Sequence, residues 1–243
     1  MVEKDAVRRS YDELATTHAD RRSEDGRGTT ILESFLDSLP ASPRVLDAGC
    51  GQGTPVLERL AAGGAAPAPV GLDFSREQLL LAADAVPDAE LTQGDMTALP
   101  FADDTFDGVV AYWSLIHVPL EDHRTVLDEF ARVLRPAGRV LVCEGANEWC
   151  GENPDWLETG VRMEWNVAGA ERTRAQLRDA GFDVVETWGL PETLREDADE
   201  ASEDGNSDDE TPTDEDEIEV GAEDEDEDED EEPWTFFEAR LVG

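Results

Sequence analysis

The sequence predicts an α/β protein in which helices cover both faces of a doubly wound, mostly parallel sheet. Short apolar segments alternate with amphipathic segments of helical period along most of the chain. A glycine-rich loop follows the first apolar segment, which is where open α/β sheets bind ligands. The length of 243 residues fits one such domain with a small addition.

The predicted elements follow from these patterns. A polar, amphipathic helix covers residues 3–19, and a second helix begins at Thr29 or Thr30 and ends at Leu39. The predicted strands share short apolar runs and span 44–48, 70–74, 90–93, 106–112, 139–144, 182–188 and 234–241. The remaining predicted helices span 55–62, 75–85, 120–134 and 170–180. Ser75 is the expected N-cap of its helix, with Gln78 in the capping-box position.

The charge of the chain excludes some functions. Acidic residues number 60 and basic residues 19, which gives a net charge of −41. Binding to nucleic acid or to an anionic membrane needs basic surfaces, so neither is expected. Lys4 is the only lysine. Acid excess with lysine depletion resembles proteins from salt-loving archaea that keep molar salt in the cytoplasm.

The acid is concentrated in one segment. Residues 196–232 hold 24 acids and no base, and such a composition predicts a disordered insertion. Calcium binding there is the less favoured alternative, because the segment lacks the glycine and the ligand spacing of an EF-hand.

Three cysteines, Cys50, Cys143 and Cys150, form neither a disulfide framework nor a zinc motif, so no metal site is expected. The first ten residues are charged, and no apolar run is long enough to span a membrane. We therefore expect a cytoplasmic protein.

The glycine-rich loop reads Asp47-Ala-Gly49-Cys-Gly51-Gln-Gly53. Glycines allow the backbone to turn tightly and to approach a ligand closely. A nicotinamide dinucleotide fingerprint is one alternative, but Thr54 stands where that pattern needs its third glycine. A generic glycine-rich turn is another.

Further segments agree with a more specific interpretation. Asp73 ends the second strand, and Gly94-Asp-Met-Thr-Ala-Leu-Pro-Phe101 follows the third. Together with the glycine loop and the segments 104–110 and 129–142, they resemble class I S-adenosylmethionine-dependent methyltransferases of the small-molecule type. The resemblance covers about residues 45–144. It implies a Rossmann-like methyltransferase fold of seven strands, in which 234–241 is the antiparallel one.

The resemblance also implies a cofactor site for S-adenosylmethionine. Asp47 and the loop glycines would hold its amino-acid end, Asp73 its ribose, and Asp95 with Met96 its adenine. The expected cofactor-binding residues are Asp47, Gly49, Gly51, Gly53, Asp73, Phe74, Asp95, Met96 and Tyr112.

The substrate side of the site is less defined. His117 follows the fourth strand and is a candidate general base, or alternatively a conformational or cofactor-contacting residue. His18 and His123 are expected on helix surfaces. The expected substrate-pocket residues are Tyr11, Trp113, Ser114, Trp149 and Trp165, although the two last could equally pack in a core.

Methylases of DNA amino groups carry Asn/Asp-Pro-Pro-Tyr/Phe after the fourth strand, and this chain has Ala111-Tyr-Trp-Ser114 instead. The interpretation is therefore methyl transfer to a small molecule by a monomer or homodimer. A non-catalytic cofactor-sensing protein of the same fold and a nicotinamide-dependent oxidoreductase are the alternatives. The expected regions are a lid (1–43), a cofactor-binding core (44–145), a substrate cap with the sixth strand (146–195), the acidic insertion (196–232) and a final strand (233–243).

Overall fold

A computed structural model describes residues 2–21, 26–63, 67–190 and 234–242. The predicted disordered insertion, 196–232, lies outside the described residues.

The helices and strands alternate as the sequence predicts. The helices are α1 (Lys4–Arg21), α2 (Arg27–Asp37), α3 (Val56–Ala62), α4 (Arg76–Ala85), α5 (His123–Val133) and α6 (Ala170–Asp179), with a short 3₁₀ helix at Leu115–His117. The strands are β1 (Val45–Ala48), β2 (Val70–Asp73), β3 (Glu90–Gln93), β4 (Phe106–Ala111), β5 (Leu134–Gly145), β6 (Glu148–Trp156), β7 (Val161–Ala168), β8 (Phe182–Leu190) and β9 (Trp234–Leu241).

Within the described residues, seven strands form one sheet in the order β3-β2-β1-β4-β5-β9-β8. Strands β1 to β5 pair in parallel, whereas β9 pairs antiparallel with both β5 and β8. The predicted fold class is therefore confirmed. The strand order reverses between β1 and β4, which opens a crevice at their carboxyl ends.

The two faces of the sheet are covered by different helices because strand side chains alternate in direction. On one face, Val109 and Val140 pack with Phe130 of α5 and Leu177 of α6. On the other face, the neighbouring residues of the same strands pack with α2 and α3. Both clusters are almost fully buried, and burial of their apolar area holds the crevice in place.

Two local predictions were wrong, and one small sheet was not predicted. Helix α2 begins at Arg27, after an N-cap at Gly26, rather than at Thr29 or Thr30. Strand β5 begins at Leu134, before the predicted turn. The excursion after β5 is a two-stranded antiparallel sheet of β6 and β7, which the sequence analysis did not predict.

Candidate cofactor and substrate site

A narrow pocket of about 60 Å³ lies at the carboxyl ends of β1, β2 and β4. Helix α1 lies across it and contributes Lys4, Tyr11 and His18 to its wall. The predicted site residues that line the pocket are Tyr11, Gly49, Gly51, Asp73, Phe74, Asp95, Met96, Tyr112, Trp113, Ser114 and His117. The structure thus brings together residues that are up to 106 positions apart in sequence, as between Tyr11 and His117.

The glycine loop is fixed between two strands. The backbone N–H groups of Gly49 and Cys50 donate to the Leu72 carbonyl oxygen, at 2.7 and 3.0 Å. Ser114 donates its hydroxyl hydrogen to the Ala48 carbonyl oxygen at 2.6 Å. Gly49 has φ +82°, and a Cβ there would lie 2.3 Å from the Cβ of Ser114. Glycine is therefore required at position 49 by both conformation and packing.

Asp73 connects the loop to the next helix. Its carboxylate accepts hydrogen bonds from the N–H groups of Gly51 and Ser75, both at 2.8 Å. The side chain is 6% exposed, and burial raises the pKa of Asp73 to about 6 despite these hydrogen bonds. A buried carboxylate that ends β2 can accept hydrogen bonds from vicinal ribose hydroxyls.

Gln78 is a site residue that the sequence analysis missed. Ser75 caps α4 through Gln78 N–H, as predicted, but the reciprocal half of the capping box is wrong. The Ser75 N–H donates to Asp73 instead, which leaves the Gln78 amide turned to the pocket. Both polar atoms of this buried amide are without a hydrogen-bond partner within the described residues.

An unpaired buried amide is costly, so its presence at the pocket indicates a polar ligand. Gly51 supports this, because a Cβ there would meet only the Gln78 Oε1, at 3.7 Å. The backbone of the loop is therefore open to a ligand beside two polar side chains, Asp73 and Gln78. This arrangement fits the ribose and amino-acid ends of S-adenosylmethionine.

Asp95 lies at the other end of the pocket, where adenine is expected. It accepts hydrogen bonds from the Thr97 N–H at 2.8 Å and from the Lys4 ammonium at 2.7 Å. Burial opposes ionisation of Asp95, but the hydrogen bonds from Lys4 and Thr97 outweigh it and lower the pKa. Met96 follows and packs against the main apolar core.

His117 and Tyr11 form a hydrogen-bonded pair. The Tyr11 oxygen lies 2.8 Å from His117 Nε2, and His117 Nδ1 lies 3.2 Å from the backbone carbonyl oxygen of Glu164. A carbonyl oxygen only accepts, so we assign the hydrogen to Nδ1. Nε2 then accepts the hydroxyl hydrogen of Tyr11.

Aromatic rings surround this pair. The Tyr11 ring centroid lies 6.3 Å from that of Phe74 and 5.8 Å from that of Trp156. The Trp113 ring contacts Trp234 of β9 at a centroid distance of 4.6 Å. Among the described residues that line the pocket, Tyr11, Phe74, Tyr112 and Trp113 are aromatic, which suits an apolar organic ligand.

Four predicted site residues do not line the pocket. Asp47 is buried at the end of β1, and Gly53 faces α4, with Ala82 3.5 Å from the position of its absent Cβ. Trp149 is 51% exposed on β6, and its ring lies 6.1 Å from Trp165 of β7. Trp165 is in turn 6.1 Å from His117, behind the pocket wall.

The two other histidines were predicted on helix surfaces; His123 is buried, contrary to that prediction, and His18 is half-buried. His18 lines the pocket, with its ring 5.3 Å from Tyr11. His123 is fully buried; its Nε2 lies 3.0 Å from the Val118 carbonyl oxygen and its Nδ1 3.8 Å from Glu144 Oε2. Burial lowers the pKa of His123 to about 4 and raises that of Glu144 to about 8. Both groups are therefore neutral near pH 7.

The part of the chain that the structure describes contains no cluster of three or more His, Cys, Asp or Glu side chains suited to a metal ion. None of its helices combines the length and apolar composition needed to cross a bilayer.

Comparison with known proteins agrees with this geometry. Residues 45–138 match a family model described as a methyltransferase domain. Over 141 residues the chain is 33% identical to a demethylmenaquinone methyltransferase of Bacillus licheniformis, covering 57% of this chain and 59% of that protein. The chain thus spans less than two thirds of that relative's length.

Solved structures share the fold. One is a chain in the complex between the Haloferax volcanii Trm112 methyltransferase activator and a methyltransferase, with TM-score 0.62, 21% identity and 98% of each chain covered. Another is the N-methyltransferase NodS of Bradyrhizobium japonicum in complex with S-adenosyl-L-homocysteine, with TM-score 0.58, 17% identity, and 89% of this chain and 86% of that chain covered. Residues 45–138 therefore match the methyltransferase-domain family, and the chain has the Rossmann-like methyltransferase fold.

Proposed function

We propose that this protein transfers a methyl group from S-adenosylmethionine to a small-molecule acceptor. The observation on which this rests most is the pair of buried polar side chains, Asp73 and Gln78, that face the open backbone of Gly51. The methyltransferase-domain match over the same segment and the relatives' names support the proposal.

The cofactor would lie along the carboxyl edge of the sheet. Gly49 and Gly51 would hold its amino-acid end beside Asp47. Asp73 and Gln78 would hold its ribose, and Asp95 would accept a hydrogen bond from its adenine amino group. When bound, S-adenosylmethionine supplies an electrophilic methyl group on a sulfonium sulfur. The protein's main contribution is to orient an acceptor in line with that group and to exclude water from it.

Acceptors that carry a proton need a base, and the hydrogen bonds at His117 suggest a relay. Tyr11 would take the proton from the acceptor and pass its own hydroxyl hydrogen to His117 Nε2. The Glu164 carbonyl oxygen would hold the imidazolium through Nδ1. His117 would then act as the base through Tyr11 rather than by direct contact with the acceptor.

The acceptor is proposed to be an apolar or aromatic small molecule, because four aromatic rings contribute to the described pocket wall, those of Tyr11, Phe74, Tyr112 and Trp113. The relative's name, demethylmenaquinone methyltransferase, supports a ring-bearing acceptor. Residues of α1 and of the β6–β7 sheet would form the lid and the substrate cap. With a net charge of −41, we propose that the protein works in a salt-rich cytoplasm.

The test is calorimetric titration in molar KCl, where self-repulsion is screened. S-adenosylmethionine and S-adenosylhomocysteine should bind at micromolar Kd, and NAD should give no heat. Circular dichroism before and after titration confirms that the protein is folded. Folded protein that binds neither sulfur nucleoside would overturn the proposed function.

A second candidate function is cofactor sensing without catalysis. A sensor needs space for the cofactor alone, so the small volume of the pocket, about 60 Å³, favours it over a site that must hold a cofactor and an acceptor together. Incubation with methyl-labelled cofactor and a panel of quinols, phenols and amines distinguishes the two. A labelled product supports the enzyme, whereas cofactor binding without transfer to any of the panel supports the sensor.

A further inference from the structure

Lys4 makes an unexpected contact in the pocket. It is the only lysine of a chain with 60 acidic residues, and it lies at the start of α1. Its ammonium is 2.7 Å from Asp95 Oδ2 and 3.3 Å from the Thr97 hydroxyl oxygen. Of the described residues that line the pocket, it is the only lysine or arginine.

The contact places a donor where a ligand donor is expected. The Lys4 ammonium donates a hydrogen bond to the carboxylate that would accept one from the adenine amino group. The two donors therefore compete for Asp95. This step rests on the proposed function. Independently of that function, the pocket volume of about 60 Å³ is too small for a nucleoside beside Lys4.

A second carboxylate lets the lysine move without losing a partner. Asp122 Oδ2 lies 3.4 Å from the Lys4 ammonium. The side chains of Lys4, Asp95 and Asp122 are 33%, 42% and 35% exposed, so the lysine can shift within the surface layer. Burial acts against the charge of Lys4, but Asp95 and Asp122 outweigh it and raise the pKa, so the ammonium stays charged at neutral pH.

We propose that Lys4 is a latch on the adenine subsite: it holds Asp95 in the cofactor-free protein and moves to Asp122 when adenine binds. The lysine sets the affinity for the cofactor by competing with the adenine amino group. Breaking a partly exposed ion pair of this kind reduces affinity about two- to fivefold.

Lys4→Met tests the latch, because methionine keeps most of the apolar stem and removes the charge. The matched control is Arg9→Met, which removes an exposed cation from the same helix. In calorimetric titrations with S-adenosylhomocysteine, Kd should fall about two- to fivefold in Lys4→Met and stay unchanged in Arg9→Met. A Kd in Lys4→Met that equals or exceeds the wild-type value would overturn the latch alone. Absence of binding in all three folded proteins would overturn the proposed function and the latch with it.

Acetylation of the wild-type protein gives a second readout that needs no variant. Peptide mass spectrometry follows the reaction of acetic anhydride with Lys4, the only lysine. Saturating S-adenosylhomocysteine should speed this reaction about two- to fivefold, because the ammonium loses its hydrogen bonds to Asp95 and Thr97. An unchanged or slower reaction would contradict the exchange of partners.

Discussion

Cofactor affinity should depend on pH through Asp73. Burial raises the pKa of this carboxyl to about 6 in the free protein. Ribose hydroxyls donate hydrogen bonds to the ionised form, so binding holds Asp73 ionised and lowers its pKa. Below pH 6 the cofactor must therefore displace a proton in order to bind. The Kd of S-adenosylhomocysteine should be constant above about pH 6.5 and rise about tenfold per pH unit below about 5.5.

The assay is calorimetric titration between about pH 5 and about pH 7.5 in molar KCl, with circular dichroism at each pH. His18 and His117 also line the pocket, so a pH dependence is assigned to Asp73 only through the variants described below. Hydrogen bonds from Lys4 and Thr97 lower the pKa of Asp95 from its ordinary value, which already lies below this pH range. The buried pair of His123 and Glu144 titrates near 4 and 8, outside its useful range.

Two variants separate Asp73 from the rest of the site. Asp73→Asn should weaken binding about 10- to 150-fold above pH 6.5, which corresponds to the loss of one hydrogen bond to a charged group. It should also abolish the break near pH 6 in the plot of Kd against pH. Asp95→Asn is the matched control; it should weaken binding yet keep the break near pH 6. A wild-type profile without a break, or a break that persists in Asp73→Asn, would refute the assignment of Asp73.

Other substitutions test packing, protonation and the relay. Gly49→Ala should reduce the free energy of unfolding by about 2–5 kcal/mol in chemical denaturation, because its Cβ meets Ser114 at 2.3 Å and φ is +82°. Gly51→Ala should cost only about 1–2 kcal/mol, and it should impair cofactor binding more than stability. Glu144 keeps its proton up to about pH 8 when folded and releases it near 4.5 when unfolded, which by itself lowers stability as pH rises between about 4.5 and 8. His123 acts in the opposite direction between about 4 and 6.5, so the net fall should appear between about 6.5 and 8. Glu144→Gln should remove this slope, which is up to about 1.4 kcal/mol per pH unit; an unchanged slope would assign it to another group. Tyr11→Phe should still bind S-adenosylhomocysteine but reduce turnover about 100-fold once an acceptor is known, whereas full turnover would exclude the relay.

The fold was predictable because its signals are local. Strand β9 was predicted at its observed bounds, and the short apolar runs of β1 to β4 were placed within one or two residues. The β6–β7 sheet was not predicted, since most of β6 is exposed and Pro154 interrupts its pattern. Its strands form because they pair with each other, and that pairing leaves little trace in either sequence alone.

The positions of His18 and His123 on their helices could have been predicted from their spacing to apolar residues. His123 precedes Val126, Leu127 and Phe130 by three, four and seven residues, which places it on the buried stripe of α5. His18 follows Tyr11 and Leu14 by seven and four residues, on the pocket side of α1. Both were predicted on helix surfaces, although a polar side chain on an apolar helical stripe is buried when a hydrogen-bond partner is available.

Helix α1 determines whether the site can open. The other pocket walls come from strands and turns that are fixed by the two apolar cores and by backbone hydrogen bonds to Leu72 and Ala48. The α1 wall contacts the sheet edge through polar groups: Lys4 on Asp95, Tyr11 on His117, and Asp12, which accepts the Ser75 hydroxyl hydrogen at 2.7 Å. Its apolar side packs Val7 and Leu14 against the β6–β7 sheet. Polar contacts at a partly exposed edge exchange for ligand or water at small cost, whereas buried apolar contacts do not. The volume needed for a nucleoside should therefore come from displacement of the Lys4 end of α1, which releases Lys4 from Asp95 when the cofactor binds.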